Sequence, residues 1–428
     1  MLIFIENTPR TYAWGSVDAL PEMLGTAATG EPQAELWLGA HPGHPASVAK
    51  ATKQPRTLID LIESDPERWG VDGKDLPFLM KVLAIGAPLS LQVHPNAAQA
   101  AAGFAAEEER GIPRDAAERN YGDPHHKPEL LVALGEMTAL SGFRPLADAR
   151  RDLRMLAAAV PTGPSREALH TAADLLTGED PAAARQRFIE WALSGDDAAA
   201  AGVQGISVIV RASQAADLEL DPLRVAVLSN LVAAHPGDAG ILVSVALHAL
   251  RLQPGEAIFL GAGQLHAYLS GIGVEVMASS DNVLRAGLTV KHVDVDEVCR
   301  IVDTAELDEP KFRAERCRPG LVAWRPEVPD FQLMRVRLHG AEEEAFDAVG
   351  SAEQIDLSAP HPLVLIATAG RVVIERPAAE FAEVAVVKRG QSLYVSAGEP
   401  IQIRGHGEAF IATVGESFAP RADTPVCR

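Results

Sequence analysis

Short apolar runs broken by glycine and proline fill residues 1–143 and everything from Leu252 onward, and a block of different character separates them. "LPFLMKVLAI" is followed at once by "GAP" and then by "LSLQVHPN", two extended runs that read as a hairpin or sheet corner. "HKPELLVAL" is another strand, starting near Lys127. From Leu252, "LQPGEAIFLGAGQLHAYLSGIGVEVMAS" repeats the pattern. Strands this short and closely spaced favour a barrel or jelly roll. Residues 145–250 instead carry Ala, Leu and Arg at helical spacing, as in "LADARRDLRMLAAAV". Ser165 is a candidate N-cap there, with Glu167 in the first turn. Asp180-Pro181 pairs an N-cap with proline at the first helical position. A last helix is expected through "AGILVSVALHAL". The pattern predicts a mainly β chain of jelly-roll units with an inserted α-helical domain, α+β overall. The boundaries are 1–143 with 252–320 for the first jelly roll, 144–251 for the insertion and 321–428 for a C-terminal jelly-roll-like domain.

A weak internal echo supports two such units. "PGEAIFLGAGQLHAY" can be laid over "RGQSLYVSAGEPIQI", placing Gly255 on Gly390, Phe259 on Tyr394 and His266 on Ile401. Glycine-bounded apolar strands resemble one another in any case. If the echo is structural, only the first unit keeps a polar site.

The 428 residues allow two or three domains, and 47% hydrophobic content with a mean hydropathy of +0.04 supports a sizeable core. A formal net charge of −20 argues against a general nucleic-acid binder, because no overall field would attract phosphate backbones. A small anionic substrate would need a local cluster of Lys and Arg. Cys299, Cys317 and Cys427 are odd in number and widely spaced, which suggests neither a disulfide framework nor a cysteine-based zinc site. No run reaches the length of a membrane span, and the N-terminus lacks a basic segment followed by a long apolar one. The expectation is a cytoplasmic protein with no membrane partner.

Within this frame some polar residues stand where apolar ones are expected. In "LSLQVHPN", Ser90, Gln92 and His94 share one face of an extended chain, each roughly 6–7 Å from the next because they are two residues apart. Gln92 offers an amide oxygen and His94 an imidazole nitrogen, although any half-buried strand alternates in this way. In "DPHHKPEL", Lys127 and Glu129 share a face across Pro128, either an exposed ion pair or a carboxylate ligand beside a binding cation. His125 and His126 sit in a turn and read as surface residues. In "GQLHAYLSGIGVEVMASSDNVLRAGLTVKH", His266 follows a turn, with Tyr268 on the same face. Glu275 lies between Val274 and Val276, where an unpaired carboxylate would be costly. Asp281, Asn282, Arg285 and Lys291 follow within a short stretch. Asp281 and Asn282 could equally form a turn. Pooled, Gln92, His94, Glu129 and His266 make a candidate N2O2 site, suited to zinc or another divalent first-row metal. Lys81, Lys127, Arg285 and Lys291 could bind an anionic group beside it, which points to a small phosphorylated substrate.

Here the sequence resembles a known family. "LSLQVHPN", "HKPEL" and "QLHAYLSGIGVEVMASSDNVLRAGLTVKHVD" are similar to the signature segments of the zinc-dependent, cupin-fold mannose-6-phosphate isomerases, and "TYAWGS" and "AELWLGAHP" fit too. The likeness covers residues 1–143 and 252–300 well and the remainder in kind. It implies cupin-like jelly rolls, a monomer, and one Zn²⁺ per chain held by Gln92, His94, Glu129 and His266. It implies that Arg285 is a key catalytic residue, with Glu275, Asp281, Tyr268 and Lys291 lining the site. Ser90, Lys81 and Lys127 would belong to the substrate pocket, and Trp14 to its wall. The implied reaction moves a proton between C1 and C2 of a hexose phosphate through a cis-enediol. Glu275 or a zinc-bound water are candidates for the base. Two rivals are a cupin-type iron oxygenase, against which the amide ligand and the cations speak, and a phosphosugar-binding module without turnover.

Overall fold

A computed structural model of the chain describes residues 1–49, 56–212, 218–339, 350–378 and 383–415. Two antiparallel sheets dominate it, one of nine strands and one of ten. The first is organised around one long strand, His266–Ala278. Its second half, from Gly271 to Ala278, pairs with Phe78–Ile85 on one edge, and Gly273–Met277 pair with Glu129–Ala133 on the other. In its first half, His266 pairs with Gln92 of the short strand Leu91–Val93, and His266–Ser270 pair with Met137–Phe143. The register shifts between Tyr268 and Ser270. Gly271 then has φ +108°, and a Cβ there would come within 2.5 Å of the Glu136 carbonyl. Only glycine fits this corner without strain. Phe78–Ile85 and Leu91–Val93 therefore do not form a hairpin; "GAPLS" turns the corner between them while both follow the same long strand.

The corner explains the burial pattern. Every residue of Phe78–Ile85 is buried. Met80, Val82, Leu130, Val132, Val274 and Val276 face outward and pack with Trp324, Phe331, Tyr394 and Phe410 of the second sheet. Leu83, Ile85, Leu131, Ala133, Ile258, Leu260 and Tyr268 face inward. A strand covered on both faces reads as a nearly continuous apolar run, so the single Lys81 in it stands out.

The helical block joins strands that are themselves neighbours. Met137–Phe143 pairs with Leu247–Leu252, so the insertion is an enlarged hairpin connection, which costs little loop entropy. Its main helices are Leu146–Ala159, Pro164–Leu175, Pro181–Leu193, Asp197–Arg211 and Pro222–Ala234. Asp180 caps the third as its sequence predicts, accepting from the Ala182 and Ala183 amides at 3.0 and 3.1 Å. Ser165 is not a cap: the helix starts at Pro164, and Gly163 takes the cap position. The helix expected over residues 239–250 is only Gly240–Ser244, because strand pairing claims Leu247–Leu252. A short apolar run does not distinguish the two states, and tertiary pairing decides. No helix among the described residues is long and apolar enough to cross a membrane.

The internal echo has a structural counterpart. Ala257–Leu260 and His266–Ala278 match Ser392–Val395 and Ile401–Thr413 in length and spacing. Gly255 and Gly390 precede them at φ +84° and +80°. His266 falls on Ile401, which is buried in the apolar core of the second sheet. The first residues of the chain cross over: Leu2–Glu6 pairs with Ser392–Val395 in the second sheet. Gly271→Ala should lower unfolding free energy by more than ~1 kcal/mol, measured by denaturant titration; an unchanged midpoint would contradict the corner assignment.

Candidate functional site

The register lines up polar residues across the strands. Trp37 lies opposite Lys81, and Lys81 opposite Glu275. Residues directly opposite share a face and touch. Lys81 Nζ is 3.5 Å from Glu275 Oε2 and 4.7 Å from the centre of the Trp37 ring. Tyr268 Oη donates to Glu275 Oε1 at 3.1 Å. Burial pushes the Glu275 carboxyl up to about 7, helped by the negative charge of Glu129. Burial also works against the Lys81 ammonium, but Glu35, Glu275 and Glu129 outweigh it, and its pKa lies above the ordinary lysine value. Burial and the neighbouring Glu275 raise the Tyr268 hydroxyl well above its usual range. Lys81 and Tyr268 thus keep their protons near neutral pH, while Glu275 is poised to exchange one.

A second row runs Arg285, Gln92, His266, Ser141. Beside it three buried side chains converge. His94 and His266 are 0% exposed and Glu129 is 3% exposed. His94 Nε2 is 3.3 Å from Glu129 Oε1, and His266 Nε2 is 3.5 Å from Glu129 Oε2. One ligand atom from each of the three lies within 4.8 Å of the others.

The hydrogen bonds behind the rings fix which nitrogen carries the proton. His94 Nδ1 is 2.8 Å from the Asn282 carbonyl, and His266 Nδ1 is 2.9 Å from the Gln264 carbonyl. A carbonyl can only accept, so Nδ1 donates in both rings, and Nε2 of the neutral ring presents a lone pair. Burial lowers the His94 pKa to about 4, so this ring is neutral at pH 7. Burial opposes the Glu129 carboxylate, but Lys127, with Nζ 2.9 Å from Oε1, and the imidazoles outweigh it and hold its pKa well below the usual value. His94 Nε2, His266 Nε2 and Glu129 Oε2 have no hydrogen-bond partner. Three buried acceptors facing one another without a donor are costly, and a divalent cation resolves them. The donor set fits zinc. Gln92 is half-buried and lies opposite His266 in the register.

Arg285 is opposite Gln92, and its charge, followed by burial, depresses the Lys291 pKa. Among the described residues no carboxylate pairs with either cation. Ser90 is half-buried just before Leu91–Val93. Trp14 packs against the inner cluster that contains Tyr268. Asp281 is exposed and 3.5 Å from His41 Nε2. Sequence reasoning assigned no role to His41 or Gln264 and left Asn282 as a turn former. No residue-type signal marks Gln264 and Asn282, since each meets its histidine through a backbone carbonyl. Of the turn histidines, His125 is exposed and His126 pairs with Asp330 at 2.9 Å, away from the cluster.

Fold and site together define an antiparallel β protein with a helical insertion and a buried His–Glu–His constellation suited to a metal, with Arg285 and Lys291 unpaired with any carboxylate among the described residues. The family model of the type I phosphomannose isomerase catalytic domain matches residues 2–146. Mannose-6-phosphate isomerase of Escherichia coli K12 is 33% identical over 94% of this chain and 96% of its own. The human enzyme of that name is 30% identical over 92% and 93%. A crystal structure of mannose 6-phosphate isomerase from Salmonella typhimurium bound to fructose 6-phosphate and zinc superposes with a TM-score of 0.81 at 30% identity, covering 97% of this chain and 99% of that one. The chain belongs to the type I phosphomannose isomerase family.

Dialysis against Zn²⁺ followed by elemental analysis should give one ion per wild-type chain and none for His94→Ala or His266→Ala. Undiminished metal in either variant would remove that residue from the site.

Proposed function

We propose that the chain is a zinc-dependent mannose-6-phosphate isomerase that interconverts mannose 6-phosphate and fructose 6-phosphate through a cis-enediol. The observation that carries this reading is the buried cluster of His94, Glu129 and His266, whose facing atoms Nε2, Oε2 and Nε2 have no hydrogen-bond partner, set beside Lys81 and Glu275. The Salmonella relative with zinc and fructose 6-phosphate bound supports both metal and substrate. A second crystal structure, of mannose 6-phosphate isomerase in a zinc-bound holo form, superposes with a TM-score of 0.82 at 29% identity and supports the metal as well.

Gln92, His94, Glu129 and His266 hold the ion, and Lys127 keeps Glu129 ionised. Zinc, when bound, supplies a Lewis acid that stabilises negative charge on the sugar oxygens. Arg285 adds fixed positive charge where the enediolate develops, and Lys291 binds the phosphate. Glu275 takes the proton from one carbon of the C1–C2 pair and returns it to the other, while the hydroxyl proton passes between O2 and O1. Tyr268 orients that carboxylate, and Lys81 adds a charged donor beside it. Ser90, Asp281 and Trp14 shape the pocket. Residues 1–143 with 252–320 form the catalytic unit, 144–251 the insertion and 321–428 a packing unit. The protein acts as a cytoplasmic monomer without a membrane partner, and its charge of −20 speaks against a nucleic-acid partner.

A coupled assay for fructose 6-phosphate from mannose 6-phosphate should show turnover that a chelator abolishes and Zn²⁺ restores. Arg285→Ala should lower kcat by roughly 10²–10³-fold while keeping its zinc. Chelator-resistant turnover, or none in the wild type, would contradict the proposal.

Glu275 must be ionised to accept a proton, so kcat should fall as pH drops through its pKa. That value is about 7 in the metal-free protein, and a bound dication moves it down. Glu275→Gln should lower kcat by roughly 10²–10⁴-fold and remove this acid limb. A limb that survives in the variant would assign it to another group.

A further inference from the structure

Asn282 is 0% exposed, and its side chain sits in a fully used hydrogen-bond socket. Its Nδ2 donates to the carbonyls of Asp123 and His125 at 2.7 and 2.8 Å. Its Oδ1 accepts from the amides of Gly122 and Asp123 at 2.8 and 3.3 Å. The Asp123 carboxylate closes the socket from the other side. It accepts from Ser280 Oγ at 2.9 Å, the Asp281 amide at 2.8 Å and the His125 amide at 2.9 Å. Ser280 Oγ also accepts from the Asn282 amide at 3.2 Å. Two segments about 160 residues apart are thereby locked together.

Both segments lead directly into the metal constellation. On one side, the Asn282 backbone carbonyl receives the Nδ1 proton of His94. On the other, the clamped loop runs through His126 into Lys127 and Glu129. A rotation of the Asn282 peptide would remove the acceptor behind His94. A shift of the loop would move Glu129 and the lysine that holds it ionised. One carboxamide thus governs the orientation of one ligand and the position of a second.

We infer that Asn282, braced by Asp123 and Ser280, is a positioning residue that sets the affinity of the chain for its metal. The inference rests on the metal reading of the His94–Glu129–His266 cluster. Partners behind metal ligands are typically worth about 10–100-fold in affinity. Asn282→Asp keeps the shape and both acceptor contacts but loses the two donors, and it sets a carboxylate against two carbonyl oxygens. Ser280→Ala removes one brace with little change in volume. Asp180→Ala, which uncaps a helix of the insertion, serves as a control for lost stability alone.

Zinc is titrated into the metal-free full-length chain in competition with a chromophoric chelator, and KM for mannose 6-phosphate is measured at saturating zinc. Half-saturating zinc should rise about 10–100-fold in Asn282→Asp and less, in the same direction, in Ser280→Ala. It should not move in Asp180→Ala, and KM should stay at the wild-type value in all. Wild-type zinc affinity in both socket variants would overturn the inference, as would an equal rise in Asp180→Ala. Failure of the underlying metal reading has a different signature, since the wild type itself would then take up no zinc.

Discussion

Three acceptor atoms that face one another in the protein interior are the constraint on which the rest of the structure turns. His94 and His266 each donate from Nδ1 to a carbonyl behind the ring, which turns Nε2 toward Glu129, and Glu129 points its carboxylate between them. Such an arrangement repels itself unless a cation sits among the three. The neighbouring charges follow from it. Lys127 offsets Glu129 directly, and Lys81 offsets the combined field of Glu35, Glu275 and Glu129. The same field, together with burial, leaves Glu275 near neutrality, which is where a proton-transfer group is most useful.

The scaffold exists to bring these residues together from distant parts of the chain. The strand His266–Ala278 turns at Gly271, so one strand contributes His266 and Tyr268 to one layer and Glu275 to the other. Short strands laid along it then deliver Gln92, Lys81 and Glu129 by register alone. The second unit repeats the strand–turn–long-strand pattern but places Ile401 where His266 stands. Its strands bury the outer face of the first sheet, so Lys81 and Glu275 reside in strands covered on both sides.

Much of this was legible in the sequence, for a definable reason. Polar residues inside apolar strands are conspicuous, and Lys81, Gln92, Glu129, His266 and Glu275 are all of that kind. The enlarged hairpin connection was visible as a change from short strands to helical spacing, and the cap at Asp180 was visible because it acts through its side chain. What escaped depends on backbone groups or on pairing at long range. Asn282 and Gln264 act on the histidines through carbonyls, which carry no residue signature. At Gly86–Ser90 the sequence leaves hairpin and sheet corner open, because both contain glycine and proline between apolar runs; pairing with the long strand decides for the corner. Leu247–Leu250 reads as helix because its partner strand lies across the whole insertion. Nothing local ties Leu2–Glu6 to Ser392–Val395.

The central claim is that a divalent ion is held by the Nε2 atoms of His94 and His266 with oxygen from Glu129 and Gln92. X-ray absorption at the zinc edge of the metal-loaded protein tests it most directly. The account predicts a shell of nitrogen and oxygen alone at about 2.0–2.2 Å, with outer-shell scattering from two imidazole rings. A sulfur contribution near 2.3 Å, or the absence of imidazole scattering, would contradict it.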